Sequence, residues 1–493
     1  MPKKSGCDNK TSFEYWVPKT SAHSLPPKAA PSGTTSSAPG VDPSPKDLVE
    51  THFKVTATCP IGSKKPLAAC DGVRKVELLC AALNAGYGSR HAMASLMTPT
   101  LIKPVELRRY LRQRLELVST CIHHDAGRMV AREFFEVVES SEKGAVSFIA
   151  GCLGTQLAAT RWLEGSGTKL KAFLHVGLYS KATVVPAAVL VKLIKKGGRT
   201  PDFLVLDDAN QWHLFESKGG STGARWGQIV DGLRQLDGVS TVGYATRTKH
   251  SPRSKVCVQT RLEAGKPLEI TAVDPPDGPP DAAEAAGASD PMEIELVPGV
   301  WQLLRYLETM EWMDTLTDEI QPDADHAKLW TLAKSTAFGG LVIGVPIGWF
   351  KRERLIRSSL VQYMALQDAL GQVALEDDGK FASTGPQPTA DTLGTRFRRA
   401  LNVSLSFHSS EERTRLFSIM VGQLQPLTAQ LGAQPESLLV AYARVLELEK
   451  LCGDLQDDLN DAMKDTSWLP VASKEDGQQR FVLTERGLYV EVI

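Results

Sequence analysis

The sequence lacks several patterns that would assign it to a familiar class of protein. Its eight cysteines are scattered and form no CxxC pair, so reduced thiols are expected and a disulfide framework is not. A secretory signal requires an apolar run near the start of the chain, and no such run follows the polar residues 1–10. The most apolar stretch, 337–350, contains glycines and a proline and is shorter than the about 20 residues that span a bilayer. We therefore expect a cytoplasmic protein without membrane contact.

The chain also shows no internal repeat and no nucleotide-binding loop, so any ATP-driven step would need another protein. The chain has 493 residues, which is longer than a single hydrophobic core usually accommodates, so two or three domains are predicted. The net charge of −1 hides an asymmetry, because residues 290–493 contain 19 Lys and Arg against 30 Asp and Glu. The first 289 residues therefore carry +10. A basic front part indicates a polyanionic partner, although solvated surface charges account for the same numbers.

Composition and periodicity divide the chain into five parts. Residues 1–48 are rich in Pro, Ser, Thr and Lys and are predicted to be a disordered tail, and 275–291 has the composition of a linker. Residues 49–144 are predicted to be a mainly helical region. Strand-like and helical segments alternate over 145–274, which predicts a mixed α/β domain. Residues 292–493 are predicted to form a separate, mainly α domain.

Individual helices follow from apolar residues at helical spacing. In the first half of the chain they are expected at about 105–118, 128–138 and from 146 to about 165. In the second half they are expected at about 299–314, 325–337, 352–374, 392–402, 411–431 and 435–463. Two short apolar segments, 481–483 and 488–492, predict a hairpin at the end of the chain.

The segment 199–220 carries the residues that indicate chemistry. Two apolar segments flank Asp207-Asp208-Ala209-Asn210, a run of residues that favour turns. A hairpin centred on Ala209 places Asp202 opposite Glu216, with Cβ atoms about 5 Å apart. Lys218 follows Glu216 by two residues and points to the same face of the strand.

Two carboxylates and an ammonium on one sheet face indicate a cation site. Paired carboxylates repel each other, and a divalent cation relieves that repulsion. Mg²⁺ takes one or two carboxylates, keeps several waters and engages phosphate oxygens. A cation can activate water and neutralise charge on a phosphate, and a nearby lysine can stabilise the transition state. These residue types therefore suit phosphodiester hydrolysis.

Pro201-Asp202 followed by Glu216-Ser217-Lys218 resembles the PD-(D/E)xK nuclease superfamily, which includes restriction endonucleases and repair exonucleases. The resemblance covers about 145–265, roughly a quarter of the chain. It implies an α/β fold, a restriction-endonuclease-like mixed sheet flanked by helices, in the order helix, three strands, helix and strand. It also implies that Asp202 and Glu216 hold Mg²⁺ or Mn²⁺ while Lys218 assists the attacking water.

Two further residues enter through the resemblance. In some branches of the superfamily a glutamine on the next helix lies beside the metal site, and Gln228 matches that position. The tyrosine that often follows is absent, and Gly232 stands four residues after Gln228. A solvated glutamine is the alternative. The first core helix often adds an acidic residue, for which Glu164 is the candidate, although its place at the helix end favours a solvated role.

We therefore predict a Mg-dependent nuclease that acts on DNA in restriction, anti-phage defence or repair. Residues 192–261 contain 12 Lys and Arg against 6 Asp and Glu, which suits contacts to phosphates. Within this segment the basic candidates around the motif are Lys195, Lys196, Arg199, Arg247, Lys249, Arg253 and Lys255. The sequence leaves open whether the substrate is DNA or RNA. It also leaves open whether cleavage is endonucleolytic or exonucleolytic.

Other interpretations remain alongside this one. His123-His124-Asp125 suggests an HD-type phosphohydrolase, but it would need further His and Asp ligands on helices, and a helix cap or surface patch accounts for it as well. A catalytically silent nucleic-acid-binding or scaffold protein on a nuclease-like fold is the main alternative function. An apolar stripe along 438–459 offers a coiled-coil surface for a protein partner or a second copy, and a buried helix explains it equally well.

Overall fold

The computed structural model describes most of the chain. The described residues are 11–19, 25, 44–56, 70–71, 73, 75–85, 104–125, 128–177, 191–194, 199–221, 225–244, 249–274, 292–297, 299–317, 319–320, 329–336, 340–380, 390–430, 435–464, 481–483 and 487–492. The predicted linker 275–291 lies outside them.

Helices occur throughout the described chain. They are α1 (Pro45–His52), α2 (Lys75–Asn84), α3 (Pro104–Cys121), α4 (Ser140–Ser166), α5 (Arg225–Asp237), α6 (Val300–Leu316), α7 (Ile347–Lys380), α8 (Ala390–Ser404), α9 (Ser410–Leu424), α10 (Pro435–Val445) and α11 (Leu448–Lys464). Two 3₁₀ segments cover Glu133–Val137 and Gln425–Gln430. None of the described helices combines the length and apolar character needed to cross a membrane.

Strands alternate with these helices. They are β1 (Thr11–Pro18), β2 (Phe53–Thr56), β3 (Cys70–Asp71), β4 (Ile122–Asp125), β5 (Arg128–Ala131), β6 (Leu170–His175), β7 (Val191–Ile194), β8 (Phe203–Asp207), β9 (Trp212–Gly220), β10 (Val239–Tyr244), β11 (Lys255–Arg261), β12 (Glu269–Val273), β13 (Met292–Leu296), β14 (Glu319–Ile320), β15 (Trp330–Ser335), β16 (Leu341–Pro346), β17 (Phe481–Leu483) and β18 (Tyr489–Val492).

The largest sheet has eight strands and contains the candidate site. Its order is β2-β1-β12-β11-β9-β8-β6, with β3 paired to β1. Strand β8 pairs antiparallel with both β6 and β9, whereas β9 and β11 are parallel. A three-stranded sheet (β10-β13-β7) and a five-stranded sheet (β14-β15-β16-β18-β17) complete the described sheets, beside the β4–β5 hairpin. The chain is therefore mixed α/β, as its sequence predicts.

Helices cover both faces of the main sheet. On one face α4 packs against β9 and β11, and its long run of 27 residues has a defined start and end. The Glu139 carboxylate accepts a hydrogen bond from the Ser141 N–H at 2.8 Å, which caps the N-terminus. Gly167 ends the helix with a φ of 83°, in the left-handed region that glycine adopts without strain. On the opposite face α5 packs against the same two strands.

The hydrophobic core lies in two layers on either side of this sheet. One cluster lies under α4 and includes Phe203, Phe215 and Trp162. The other lies on the α5 side, where Trp212 and Leu233 belong to one buried cluster that also contains the cores of α6, α7 and α11. Residues assigned to the C-terminal domain therefore share this cluster with the α5 face of the sheet.

The prediction that 1–48 is a disordered tail is wrong for part of that range. Thr11–Pro18 forms β1, which pairs in parallel with β12 and antiparallel with β2. Phe13 and Tyr15 are buried in the cluster under α4. The strand is short and lies among polar residues, so composition averaged over the segment hides it, and its partners lie far away in the sequence.

The second half of the chain is less helical than predicted. Helices α6 to α11 match five of the six predicted helices, but the helix expected at 325–337 is instead strand β15 over Trp330–Ser335. Pairing with β16 on one side and β14 on the other overrides the local helical pattern. The terminal hairpin is present as β17 and β18, and it joins β16 to complete a five-stranded sheet.

The apolar stripe along 438–459 does not form one continuous helix. Glu447 takes a φ of 49°, so the chain breaks between α10 and α11. Leu438, Tyr442, Leu455 and Leu459 are nevertheless buried in the large core cluster. Because these side chains pack inside the chain, the stripe does not offer the free coiled-coil surface that the sequence suggests for a partner.

Candidate active site

A tight turn sets the geometry of the β8–β9 hairpin. Asn210 takes a left-handed conformation with a φ of 60°, which asparagine adopts more readily than most residues. The Asp207 carboxylate accepts a hydrogen bond from the Gln211 N–H at 2.7 Å and closes the turn. The short polar run thus favours this turn through its own side chains.

The turn determines which residues of the two strands face each other. Phe203 pairs with Phe215 in the antiparallel ladder, as a hairpin centred on Ala209 requires. This is the register that the sequence predicts. It brings Asp202, which immediately precedes β8, to the level of Glu216 on β9.

Asp202 and Glu216 are held by main-chain donors from opposite strands. The Asp202 N–H donates to Glu216 Oε2 at 3.1 Å. The Ser217 N–H donates to Asp202 Oδ2 at 2.9 Å. Hydrogen bonds to carboxylates are among the stronger ones in proteins, so both side chains are positioned by the sheet itself.

Lys218 and Gln235 complete the shell around Glu216. The Lys218 ammonium donates to Glu216 Oε1, and the two side chains lie on the same face of β9. The Gln235 amide on α5 donates to Glu216 Oε2 at 2.9 Å and also to the Thr200 carbonyl oxygen. The structure therefore brings Asp202, Glu216 and Lys218 together as predicted and adds Gln235.

The electrostatics of the site reflect two carboxylates in a shielded position. Glu216 is only 1% exposed. Burial and the negative charge of Asp202 raise the pKa of Glu216 to about 8, although Lys218 opposes this shift. Burial also raises the pKa of Asp202 despite the Ser217 N–H. Burial lowers the pKa of Lys218, but the carboxylate of Glu216 outweighs it and the net shift is upward.

Gly232 allows α5 to lie directly over this site. A Cβ atom at Gly232 would be 2.4 Å from Cys257 Sγ, 3.2 Å from Glu216 Cγ and 3.3 Å from Lys218 Cε. No ordinary side chain fits in that space. The absence of the tyrosine at this position therefore has a steric reason, since the helix packs too closely for any larger residue.

Gln228 lies near the predicted site but beyond Lys218. Its amide borders Gly220, with Oε1 3.5 Å from the position a Gly220 Cβ would occupy. The amide nitrogen of Gln259 is 3.5 Å from the same point. Gln259 is beside Lys218 in the parallel pairing of β9 with β11. Two amides thus meet over Gly220, next to the lysine.

The opposite face of the sheet packs closely against α4. A Cβ at Gly219 would come within 1.9 Å of the Ser147 carbonyl oxygen, so this glycine is required for α4 to approach β9. Glu164 is on α4, on the face away from Glu216. It forms an ion pair with Arg161 at 3.3 Å and is half exposed. Its expected solvated role matches this position.

The two carboxylates form a donor set that suits a hard divalent cation. No group of three or more His, Cys, Asp or Glu side chains in the described part of the chain is arranged to hold a metal. Mg²⁺, however, commonly uses only one or two carboxylates and completes its shell with water and phosphate oxygens. The mutual repulsion that contributes to the raised pKa of Glu216 is what a cation between these groups would relieve. Asp202 and Glu216 therefore fit such an ion.

Two of the basic residues near the site are already paired with acids. Arg225 contacts Glu14 and lies 4.0 Å from Glu269. Lys249 pairs with both Glu293 and Glu295. These pairs reduce the basic surface that the sequence counts suggest.

Two arginines near the β8–β9 hairpin remain available to a polyanion. Arg199 and Arg253 are exposed, and neither has an ion-pair partner within the described residues. Lys195, Lys196 and Arg247 lie outside the described residues.

The His123-His124-Asp125 segment is not on a helix. It lies in β4, which pairs with β5 over Arg128–Ala131, where the sequence predicts a helix from 128 to 138. Pairing with β4 and a following 3₁₀ turn replace that helix. Strand residues do not provide the helical ligand spacing of an HD-type site, and the side chains of His124 and Asp125 lie outside the described residues.

Sequence reasoning missed Gln235 and Gln259. Both approach the site only through packing of α5 and β11 against β9, which local sequence does not encode. The one available signal for Gln235 is its spacing of seven residues after Gln228, which places both on one helix face.

Comparison of the chain with family models, with curated proteins and with solved structures gives no match.

Proposed function

We propose that this chain is a metal-dependent nuclease that hydrolyses phosphodiester bonds. The observation that carries the proposal is the joint position of Asp202, Glu216 and Lys218 on one face of the β8–β9 hairpin. Paired carboxylates with an adjacent ammonium can bind a divalent cation next to a phosphate group.

The order of elements around the hairpin also supports the proposal. The PD-(D/E)xK resemblance implies helix, three strands, helix and strand. Helix α4, strands β6, β8 and β9, helix α5 and strand β11 follow that order, with β7 and β10 inserted and placed in another sheet. The sheet order β6-β8-β9-β11 follows the chain order of these four strands.

Each residue has a defined role in this proposal. Asp202 and Glu216 hold Mg²⁺ or Mn²⁺ through carboxylate oxygens. A bound cation supplies positive charge that polarises the phosphodiester and makes water a better nucleophile. Lys218 orients the attacking water and stabilises negative charge on the phosphate. Gln228, beyond Lys218, is positioned to contact a neighbouring part of the substrate rather than the cation.

DNA is the substrate we propose, with RNA as the alternative. The excess of positive charge before residue 290 favours a nucleic-acid partner, and Arg199 and Arg253 are exposed beside the hairpin. A role in restriction, anti-phage defence or repair would suit such an enzyme.

Burial of Glu216 favours a second candidate function. Its side chain is covered by α5, and both oxygens already accept hydrogen bonds. A protein that binds nucleic acid through a nuclease-like fold without cutting it would show the same arrangement. This candidate differs from the first by a measurable property, cleavage in the presence of Mg²⁺.

One assay separates the two candidates. The full chain is incubated with supercoiled, linear and single-stranded DNA and with RNA, in Mg²⁺, Mn²⁺ or EDTA. Cleavage that needs the cation and disappears in Glu216→Gln supports the nuclease. Asp208→Asn is the matched control, because Asp208 is an exposed acid in the turn of the same hairpin. Binding without cleavage in either metal supports the silent protein.

A further inference from the structure

Next to the candidate site lies a hydrogen-bond acceptor that no described residue satisfies. Gln259 is 3% exposed and is beside Lys218 in the parallel pairing of β9 with β11. Its Oε1 atom has no hydrogen-bond partner among the described residues. Buried acceptors of this kind are rare in folded proteins, and each one calls for an explanation. A donor or cation that reaches this oxygen in another state of the site would provide one.

Glu216 already accepts three hydrogen bonds, so a cation on this carboxylate would have to share Oε1 with Lys218 or displace the lysine. Oε2 accepts from the Asp202 N–H and from the Gln235 amide. Oε1 accepts from Lys218. The Asp202 N–H belongs to the main chain, and Gln235 is also bonded to the Thr200 carbonyl oxygen.

Lys218 is the donor that is best able to move. Its side chain is 22% exposed, whereas Glu216 is 1% exposed. A lysine carries its charge on a flexible four-carbon stem, so the ammonium can shift while the backbone stays in the sheet. Its positive charge would also oppose a second cation on the same carboxylate oxygen.

We propose that Gln259 is a positioning residue that receives the Lys218 ammonium when a divalent cation takes its place on Glu216. The inference rests on the proposed function, since it requires a cation at Asp202 and Glu216. Gln259 is on the adjacent strand at the level of Lys218, and its free oxygen would accept a charge-assisted hydrogen bond. Lys218 then stays beside the reacting phosphate instead of turning into solvent.

The test measures Mn²⁺ binding by the full chain, by calorimetry, in four forms. These are the natural protein, Gln259→Met, Lys218→Met and the double variant. Methionine keeps the length of glutamine but removes the acceptor. Gln259→Met is expected to weaken Mn²⁺ binding about tenfold, because Lys218 loses its second partner. Lys218→Met is expected to bind Mn²⁺ at least as tightly as the natural protein, and the double variant is expected to match Lys218→Met.

Thr260→Val is the matched control. Thr260 is the next residue on β11, is fully buried, and also has an oxygen without a partner among the described residues. Its side chain lies on the opposite face, near Gly154 of α4. Removing its hydroxyl should leave Mn²⁺ affinity unchanged. Melting curves identify any variant that fails to fold, and Gln259→Leu then replaces Gln259→Met.

Three outcomes would overturn the inference in distinguishable ways. If the natural protein binds no Mn²⁺, the proposed function fails and the inference fails with it. If the natural protein binds Mn²⁺ and Gln259→Met binds it equally well, only the inference fails. If Gln259→Met weakens binding equally in the presence and absence of Lys218, Gln259 contacts the cation directly and does not act through the lysine.

Discussion

Asp202 and Glu216 face each other across the open end of the β8–β9 hairpin, and the Asp202 N–H donates to Glu216 Oε2 at 3.1 Å. The Ser217 N–H in turn donates a hydrogen bond to Asp202 Oδ2 at 2.9 Å. Main-chain donors therefore hold both side chains in place without a cation. Conservative substitutions at either position should therefore leave the hairpin folded, so the roles of both residues can be tested by mutation.

Asp202→Asn should raise the melting temperature of the cation-free protein. The change removes a buried negative charge beside Glu216, and the asparagine oxygen can still accept from the Ser217 N–H. Saturating Mg²⁺ should stabilise the natural protein, by about 2.7 kcal/mol at a hundredfold excess over Kd, and should barely affect the variant. Calorimetry with and without Mg²⁺ checks both. A variant that melts lower than the natural protein would contradict the repulsion argument.

Lys218→Met should lower the rate of cleavage by roughly 10²–10³-fold, the typical effect of losing one charge-stabilising donor. Mg²⁺ binding should persist, because lysine is not a metal ligand. Single-turnover rates at saturating Mg²⁺ measure the first effect and calorimetry the second. Equal loss of cation binding and cleavage would assign Lys218 to the structure of the site rather than to its chemistry.

Gly232→Ala should destabilise the protein and impair the site, although alanine favours a helix by about 1 kcal/mol over glycine. The new Cβ would lie 2.4 Å from Cys257 Sγ, and overpacking of this kind typically costs about 1–3 kcal/mol. Gly227→Ala on the same helix is the control, since no atom of the described residues lies within 4 Å of a Cβ there. It should be neutral or slightly stabilising. Denaturant unfolding of both variants would reveal whether α5 needs this close contact.

Stability should depend on pH through Glu311 of α6. Burial raises the pKa of Glu311 to about 7, although Arg357 opposes the shift. The folded state therefore holds the Glu311 proton more tightly than the unfolded state does. The resulting stabilisation of the fold is complete below about pH 4.5 and is lost as pH rises through 7. Glu311→Gln should gain stability relative to the natural protein between pH 5 and pH 8, by roughly 1–3 kcal/mol. A stability difference that does not change over this range would refute the shift.

Nucleic-acid binding should weaken as salt rises, because phosphate contacts release counterions. Arg199→Ala combined with Arg253→Ala should lower affinity and reduce the salt slope by about 2 if both contact phosphates. The double variant Arg398→Ala and Arg399→Ala is charge-matched, and both arginines are exposed on α8 in the acidic half. Binding titrations at several salt concentrations compare the two. Equal losses in both double variants would mean that charge acts without a defined site.

The hairpin could be predicted from sequence because its determinants are local. Turn-favouring residues from Asp207 to Asn210 set the centre, and strand periodicity then sets which side chains face each other. Asp202, Glu216 and Lys218 were therefore predictable as a group. Their register depends on about twenty consecutive residues and on no distant contact.

The remainder of the site depends on packing between distant segments. Gln259 reaches Lys218 only because β11 pairs with β9 in one particular register. Gly232 reveals its role only once α5 lies over β9, since a helical glycine alone does not indicate what it approaches. The strand at Trp330–Ser335 was predicted as a helix for a related reason, because its two partner strands decide its conformation.

The position of β1 has a practical consequence for shortened versions of the protein. A boundary placed at residue 49 on the basis of composition would delete β1, which lies between β2 and β12. Strand β12 would then become a new sheet edge with unsatisfied main-chain groups, and Phe13 and Tyr15 would leave a gap under α4. Exposed edges of this kind pair with other chains and promote aggregation. Insolubility of such a fragment would then result from the loss of β1 and not from a defect in the β8–β9 hairpin.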